Sequence, residues 1–287
     1  MKKILRIQRA PAPHWVGNGF HVNSLFFYAQ DAQTFSPFLM LDYGAPRAFP
    51  PSTEPRGVGQ HPHRGFETVT VAYQGEIEHH DSEGNRGVIG PGDVQWMTAA
   101  AGIVHEEFHA PAFARAGGRF EMAQLWVNLP ARDKSAAPGY QSIAARDIPA
   151  VDLPDGAGVA RIIAGAYGGA RGPARTFTPI DVWDLRLKAG KSARLSLPEG
   201  HTLNLAVFAG PVVVNGEATA DKAQFVTLAR TGGDALLEAK ADAKILVLSG
   251  APIEEPVVAY GPFVMNSEDE IRQAFADYRA GRFGALA

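Results

Sequence analysis

Short apolar or alternating runs recur along the whole chain, and no long amphipathic stretch joins them. In the first half they are Phe38-Leu39-Met40-Leu41, Thr68 to Tyr73 and Gln124 to Leu129. In the second half they are Val182 to Leu187, Leu203 to Phe208, Val212 to Val214, Phe225 to Leu228 and Lys244 to Leu248. Each has strand length and β-branched or aromatic content, and Gly, Pro, Asn or Asp separates it from the next. Asn215-Gly216, directly after Val212 to Val214, is a two-residue hairpin signal. Many short strands with turn signals between them predict an all-β chain built as a sandwich or barrel.

The stretch from Pro130 to Gly158 breaks this pattern. It is rich in Ala, Pro, Gly and Asp, with weak periodicity, so a domain junction is expected inside it. Two β-domains in tandem follow, residues 1–140 and residues 141–287. One helix is expected near the C-terminus. Ser267 with Glu270 fits a capping box, Ile271, Ala274, Phe275 and Tyr278 fall on one face, and Gly281 is placed to end it.

Composition narrows the function classes. The chain has 287 residues, 46% hydrophobic and 20% charged, the balance of a globular protein. A net charge of −3 offers no basic excess to neutralise a phosphate backbone, so direct nucleic-acid binding is not expected. No run approaches the ~18 apolar residues of a membrane span. Arg6 interrupts the apolar start too early for a signal peptide, and a cytoplasmic location is expected. Cysteine is absent, which removes thiolate chemistry and leaves nitrogen and oxygen as the only metal donors. No Gly-x-Gly-x-x-Gly, Walker or Gly-x-Ser-x-Gly element supports nucleotide or serine-hydrolase chemistry.

Histidine is distributed unevenly. Of nine, eight lie before residue 110 (His14, His21, His61, His63, His79, His80, His105, His109), and the second half holds only His201. A histidine-rich metal site therefore belongs to the first half. His61-Pro62-His63 and His105-Glu106-Glu107 each set two ligand-type side chains at i and i+2, which on a strand share one face. Two neighbouring strands would bring three imidazoles and a carboxylate together, with Pro62 at a strand start or edge. Such a donor set suits Fe(II), Mn(II), Ni(II), Cu(II) or Zn(II) and leaves open positions on an octahedral ion.

Other residues carry weaker expectations. His79 and His80 point to opposite faces of a strand; surface exposure or a local hydrogen bond is expected, with one of the two lining the cavity as the alternative. His109 is expected just past a strand end, and Trp96 and Met97 in the core. Phe66 would shape the mouth of a pocket. Arg64 would meet an anionic or phenolic ligand or lie solvated.

The blocks around these histidines resemble the pirin family of the cupin superfamily. His61-Pro62-His63-Arg64-Gly65-Phe66-Glu67-Thr68-Val69 is similar to its first signature, and Pro91 to Ala99 with Gly102-Ile103-Val104-His105 to its second. Gln124 to Leu129 and Gly261-Pro262-Phe263-Val264-Met265-Asn266 match as well. Ala99-Ala100-Ala101 departs from the pattern where relatives often carry another glycine or a polar residue. The resemblance implies a bicupin, two antiparallel β-barrels of the jelly-roll type in tandem with a short C-terminal helix. The metal would lie in the N-terminal barrel only. It implies ligands at His61, His63, His105 and Glu107, with Glu67 in a supporting role.

The resemblance further implies iron(II), with manganese, nickel, copper, cobalt and zinc also compatible with the donors. The activity it implies is O₂-dependent cleavage of a flavonol ring, the quercetinase reaction, with Glu107 as the catalytic proton acceptor. Its partners would then be a small aromatic, flavonol-like substrate and O₂. The alternatives are an iron-containing redox sensor that binds a protein partner without turnover, and a metal-free structural barrel.

Overall fold

The computed structural model describes residues 1–286. Strands dominate, and every apolar run named above lies inside one, save Leu129, which follows the end of Gly118–Asn128. The reason is that alternation at period two matches a sheet with one face on a core. The chain is an all-β bicupin with a short C-terminal helix, Glu268–Arg279.

The residues group into two compact units, and neither is continuous in sequence. One comprises Met1–Pro11, Ser24–Phe38 and Arg146–Pro252; the other comprises Ala12–Asn23, Leu39–Ala145 and Ile253–Ala287. The passage between Ala145 and Arg146 falls inside the expected junction. The termini, however, divide differently from residues 1–140 and 141–287. The N-terminal strand Ile4–Arg9 pairs with Gln224–Leu228, adding an edge strand to the sequence-late barrel. Lys2, buried beside it, donates from Nζ to the carbonyls of His201 (2.9 Å) and Arg230 (2.8 Å). Strand pairing depends on backbone hydrogen bonds, so composition gave no hint of this exchange.

The unit holding Arg146–Pro252 packs a seven-stranded and a four-stranded antiparallel sheet. Its interior is an apolar cluster that includes Trp183, Leu195, Leu205, Val226, Leu237 and Val247. The hairpin at Asn215-Gly216 is present, with φ +57° and +71° at these two residues. Val214 pairs with Ala218, so the loop has three residues rather than the expected two.

The other unit has the same two-sheet plan. Its seven-stranded sheet runs in the order Gly139–Ile143, Val94–Thr98, Phe66–Gln74, Gly118–Asn128, Phe38–Phe49, Phe20–Phe27, His14–Val16. Its four-stranded sheet runs Gly57–His63, Ile103–His109, Ile77–Asp81, Arg86–Ile89. Pro62 thus sits on an edge strand, where its missing N–H costs no ladder bond.

The C-terminal segment packs on this unit. Ser267 caps the helix, its Oγ accepting from the Glu270 N–H at 3.3 Å, and Gly281 follows the helix end with φ +71°. Ile271 and Ala274 join Val104, Phe263, Met265 and Phe283 in an apolar cluster. Phe275 is partly buried against it, while Tyr278 is exposed at the margin of the face.

Candidate metal centre

The strands Gly57–His63 and Ile103–His109 are antiparallel neighbours, with His105 opposite His61 and Ile103 opposite His63. Opposite residues share a face, so the three imidazoles converge. Each offers a ring nitrogen within 4.8 Å of the others. Gly57 makes this pairing possible: a Cβ there would lie 2.1 Å from the Glu107 carbonyl oxygen. The register shifts between His105 and Glu107, which faces Val58 on that neighbour.

Hydrogen bonds decide which nitrogen of each ring is free. His61 Nδ1 contacts the Gly59 carbonyl at 2.8 Å, and His63 Nδ1 contacts the Pro262 carbonyl at 3.4 Å. A carbonyl only accepts, so both rings carry their proton on Nδ1 and present a bare Nε2. His105 Nδ1 lies 3.4 Å from His79 Nδ1, and its buried Nε2 has no hydrogen-bond partner. A buried ring nitrogen with no partner is costly unless something coordinates it. Burial, followed by the neighbouring imidazoles, holds His105 well below its ordinary pKa of 6.5. Burial and then His61 do the same for His63. Both rings are therefore neutral at pH 7, the form that binds metal. The residues fit a nitrogen-and-oxygen metal site.

Glu107 stands in a second metal-capable group, with His105 and His79. Its carboxylate accepts from Gln95 and Thr70 at Oε1 and from Gln124 at Oε2 (2.9 Å). Glu107 and His61 both line a cavity of about 30 Å³, together with Val58, Met122 and Gln124. Glu67 belongs to neither group. It accepts from Thr98 Oγ1 at 2.7 Å, and burial raises its pKa to about 7.

The family models decide the relationship. The Pirin model matches residues 19–127, and the Pirin C-terminal cupin domain model matches residues 182–284. The chain belongs to the pirin family. A Pseudomonas aeruginosa protein named "Putative quercetin 2,3-dioxygenase" is 56% identical over 283 residues, which is 99% of each chain. A pirin-like protein of Caulobacter vibrioides is 43% identical over 257 residues, 88% of this chain and 89% of the relative. The crystal structure of a quercetin 2,3-dioxygenase from Acinetobacter baumannii superimposes with a TM-score of 0.98 at 52% identity, covering 100% of both chains.

Several expectations for this family member need correction. His79 makes the expected local hydrogen bond, its Nε2 lying 2.9 Å from Asp81 Oδ2, but it is not exposed. Its strand, Ile77–Asp81, sets Asp81 opposite His105 and His79 opposite Glu107, and His79 is fully buried. The signal was present, because His79-His80-Asp81 repeats the i, i+2 ligand spacing of the two recognised pairs. His80 points the other way, 3.5 Å from Glu106.

His109 is the last residue of its strand and is buried, its ring stacked on Phe120. Arg64 is half-buried and pairs with Asp277 of the C-terminal helix. Phe66 is fully buried against Trp126 and His63. Trp96 and Met97 lie in the core as expected. His201, partly exposed, belongs to no metal-capable group among the described residues. Ala100, at the point of departure from the family pattern, has φ +38°, a conformation that favours glycine.

Proposed function

We propose that this pirin is a mononuclear metal-dependent dioxygenase of the quercetinase type, its metal held by His61, His63, His105 and Glu107. The observation that carries the reading is the convergence of three imidazoles on one point, with the His105 Nε2 buried and unpartnered. The names of the relatives support it. Iron(II), when bound, would supply Lewis acidity and an electron path between a chelated flavonol and O₂.

The chain's own groups have distinct tasks. The Gly59 and Pro262 carbonyls keep the bare nitrogens of His61 and His63 turned inward. Glu107 accepts the proton of the flavonol 3-hydroxyl, which makes the substrate an electron-rich anion. Gln95 and Gln124 hold the two oxygens of that carboxylate in place for the transfer. The 30 Å³ cavity beside Glu107 suits water or a diatomic and is far smaller than a flavonol, whose pocket would need roughly 300 Å³ or more. His61, the one partly exposed imidazole of the three, therefore marks the side from which an aromatic substrate approaches.

Protein reconstituted with iron(II) should consume O₂ when quercetin is added, and His61→Ala should abolish both the uptake and stoichiometric iron. Equal turnover by the variant would remove the basis of the proposal.

A further inference from the structure

Behind His105, on the side away from His61 and His63, lies a pair of side chains that the proposed reaction does not use. His79 and Asp81 project from the strand Ile77–Asp81 onto the face that carries His105 and Glu107. All of them are buried. His79 Nε2 lies 2.9 Å from Asp81 Oδ2, and His79 Nδ1 lies 3.4 Å from His105 Nδ1. The other carboxylate oxygen, Asp81 Oδ1, accepts from the backbone N–H groups of Glu83 and Asn85, each at 3.0 Å. The Asn85 side-chain amide donates to Asp81 as well. The Asp81 carboxylate is thus an acceptor fixed by its own turn.

We propose that His79 and Asp81 are positioning residues, which dictate the nitrogen that His105 presents to the metal and strengthen its donation. The inference rests on the metal-centre reading above and extends it to residues outside the ligand set. An ionised carboxylate only accepts, so His79 carries a proton on Nε2 and, as a neutral ring, exposes a lone pair at Nδ1. Two ring nitrogens in contact need one proton between them, and His105 Nδ1–H provides it. The His105 lone pair then stands on Nε2, the buried nitrogen without a partner.

The run Asp81–His79–His105 is therefore a directional chain ending at the metal position, and negative charge at Asp81 makes His105 the better donor. Tyr140 stacks on the His79 ring at 4.6 Å and 18°, which holds the plane in which both hydrogen bonds form. On the other flank, the Tyr140 hydroxyl donates to Gln95, which donates to Glu107. One tyrosine thus touches the supports of both a nitrogen and an oxygen ligand.

The test uses the full-length protein and cobalt(II) alone as probe. His79→Phe keeps a ring against Tyr140 and loses both hydrogen bonds. Its cobalt affinity, measured by chelator competition, should fall about ten- to a hundred-fold, with a changed visible spectrum. His79→Gln restores an acceptor for His105 Nδ1–H and should recover part of the loss and the wild-type spectrum. Wild-type affinity and spectrum in His79→Phe would overturn the inference.

A measurement without any variant stands beside these. In isotope-labelled, zinc(II)-loaded wild type, the ring proton of His105 should reside on Nδ1; finding it on Nε2 would overturn the inference equally. Failure of wild type to bind cobalt(II) or zinc(II) is a separate result, and it would overturn the metal-centre reading itself.

Discussion

Lys134 offers the sharpest quantitative test of how the C-terminal segment is tied to the barrel that carries the histidines. Its Nζ is buried and donates to the Gly65 carbonyl (2.6 Å), Asn128 Oδ1 (2.8 Å) and the Val264 carbonyl (2.9 Å). Replacement by methionine keeps the length and apolar stem but strips every donor. Each buried acceptor left without a partner costs about 1–3 kcal/mol, so the three together cost about 3–9 kcal/mol. Against this, the variant no longer buries an ammonium, whose effective desolvation penalty is of the order of several kcal/mol. The orphaned acceptors should prevail, because two are backbone carbonyls locked in strand and turn geometry and cannot rotate toward water. We expect Lys134→Met to destabilise this unit by about 2–4 kcal/mol.

Urea unfolding followed by tryptophan fluorescence measures the loss, and a change below about 0.5 kcal/mol, the size of an ordinary surface substitution, would refute the reasoning. The pH dependence gives an independent check. Burial, only partly opposed by Glu255 and Glu270, pulls the Lys134 ammonium down to about 7. Between pH 7 and about 10.5 the unfolded chain therefore binds the extra proton, and wild-type stability rises with pH across that window. The variant lacks this contribution, so the gap between the two proteins should widen from pH 7 to pH 10. A narrowing gap would mean that the fold requires the three-proton ammonium.

Other perturbations probe the proposed metal site and the local backbone. Burial holds His63 and His105 well below 6.5, so both rings stay unprotonated as pH falls through 6.5. Bound metal should be retained in dialysis well below pH 6.5, and release already at pH 6.5 would contradict the neutral-ring assignment. Gly57→Ala would drive a Cβ to 2.1 Å from the Glu107 carbonyl oxygen, separating the two histidine strands. It should cost about 3 kcal/mol or more and abolish stoichiometric metal binding, both readable in one purified sample. Ala100→Gly should stabilise by about 1 kcal/mol, since φ +38° is strained for alanine; an unchanged melting temperature would argue against stored strain there.

The sequence by itself determined the class of fold and confined the histidine cluster to the first half of the chain. Period-two alternation makes strands wherever a core lies on one side, and each named run became one. The absence of cysteine left nitrogen and oxygen donors, and the pairs His61/His63 and His105/Glu107 share their faces because successive strand side chains alternate.

Tertiary structure decided what spacing cannot encode. Strand partners are chosen by long-range backbone pairing, so Ile4–Arg9 joined the late barrel and the segment from Ile253 joined the early one, against any contiguous division. The same pairing set Asp81 opposite His105 and turned His79 inward, where local spacing had left exposure or a local hydrogen bond as the expectation. It also settled the fate of Arg64, whose partner Asp277 lies 213 residues away. Alternation along a strand says that two side chains agree in direction; only the register of the neighbouring strand says what they face.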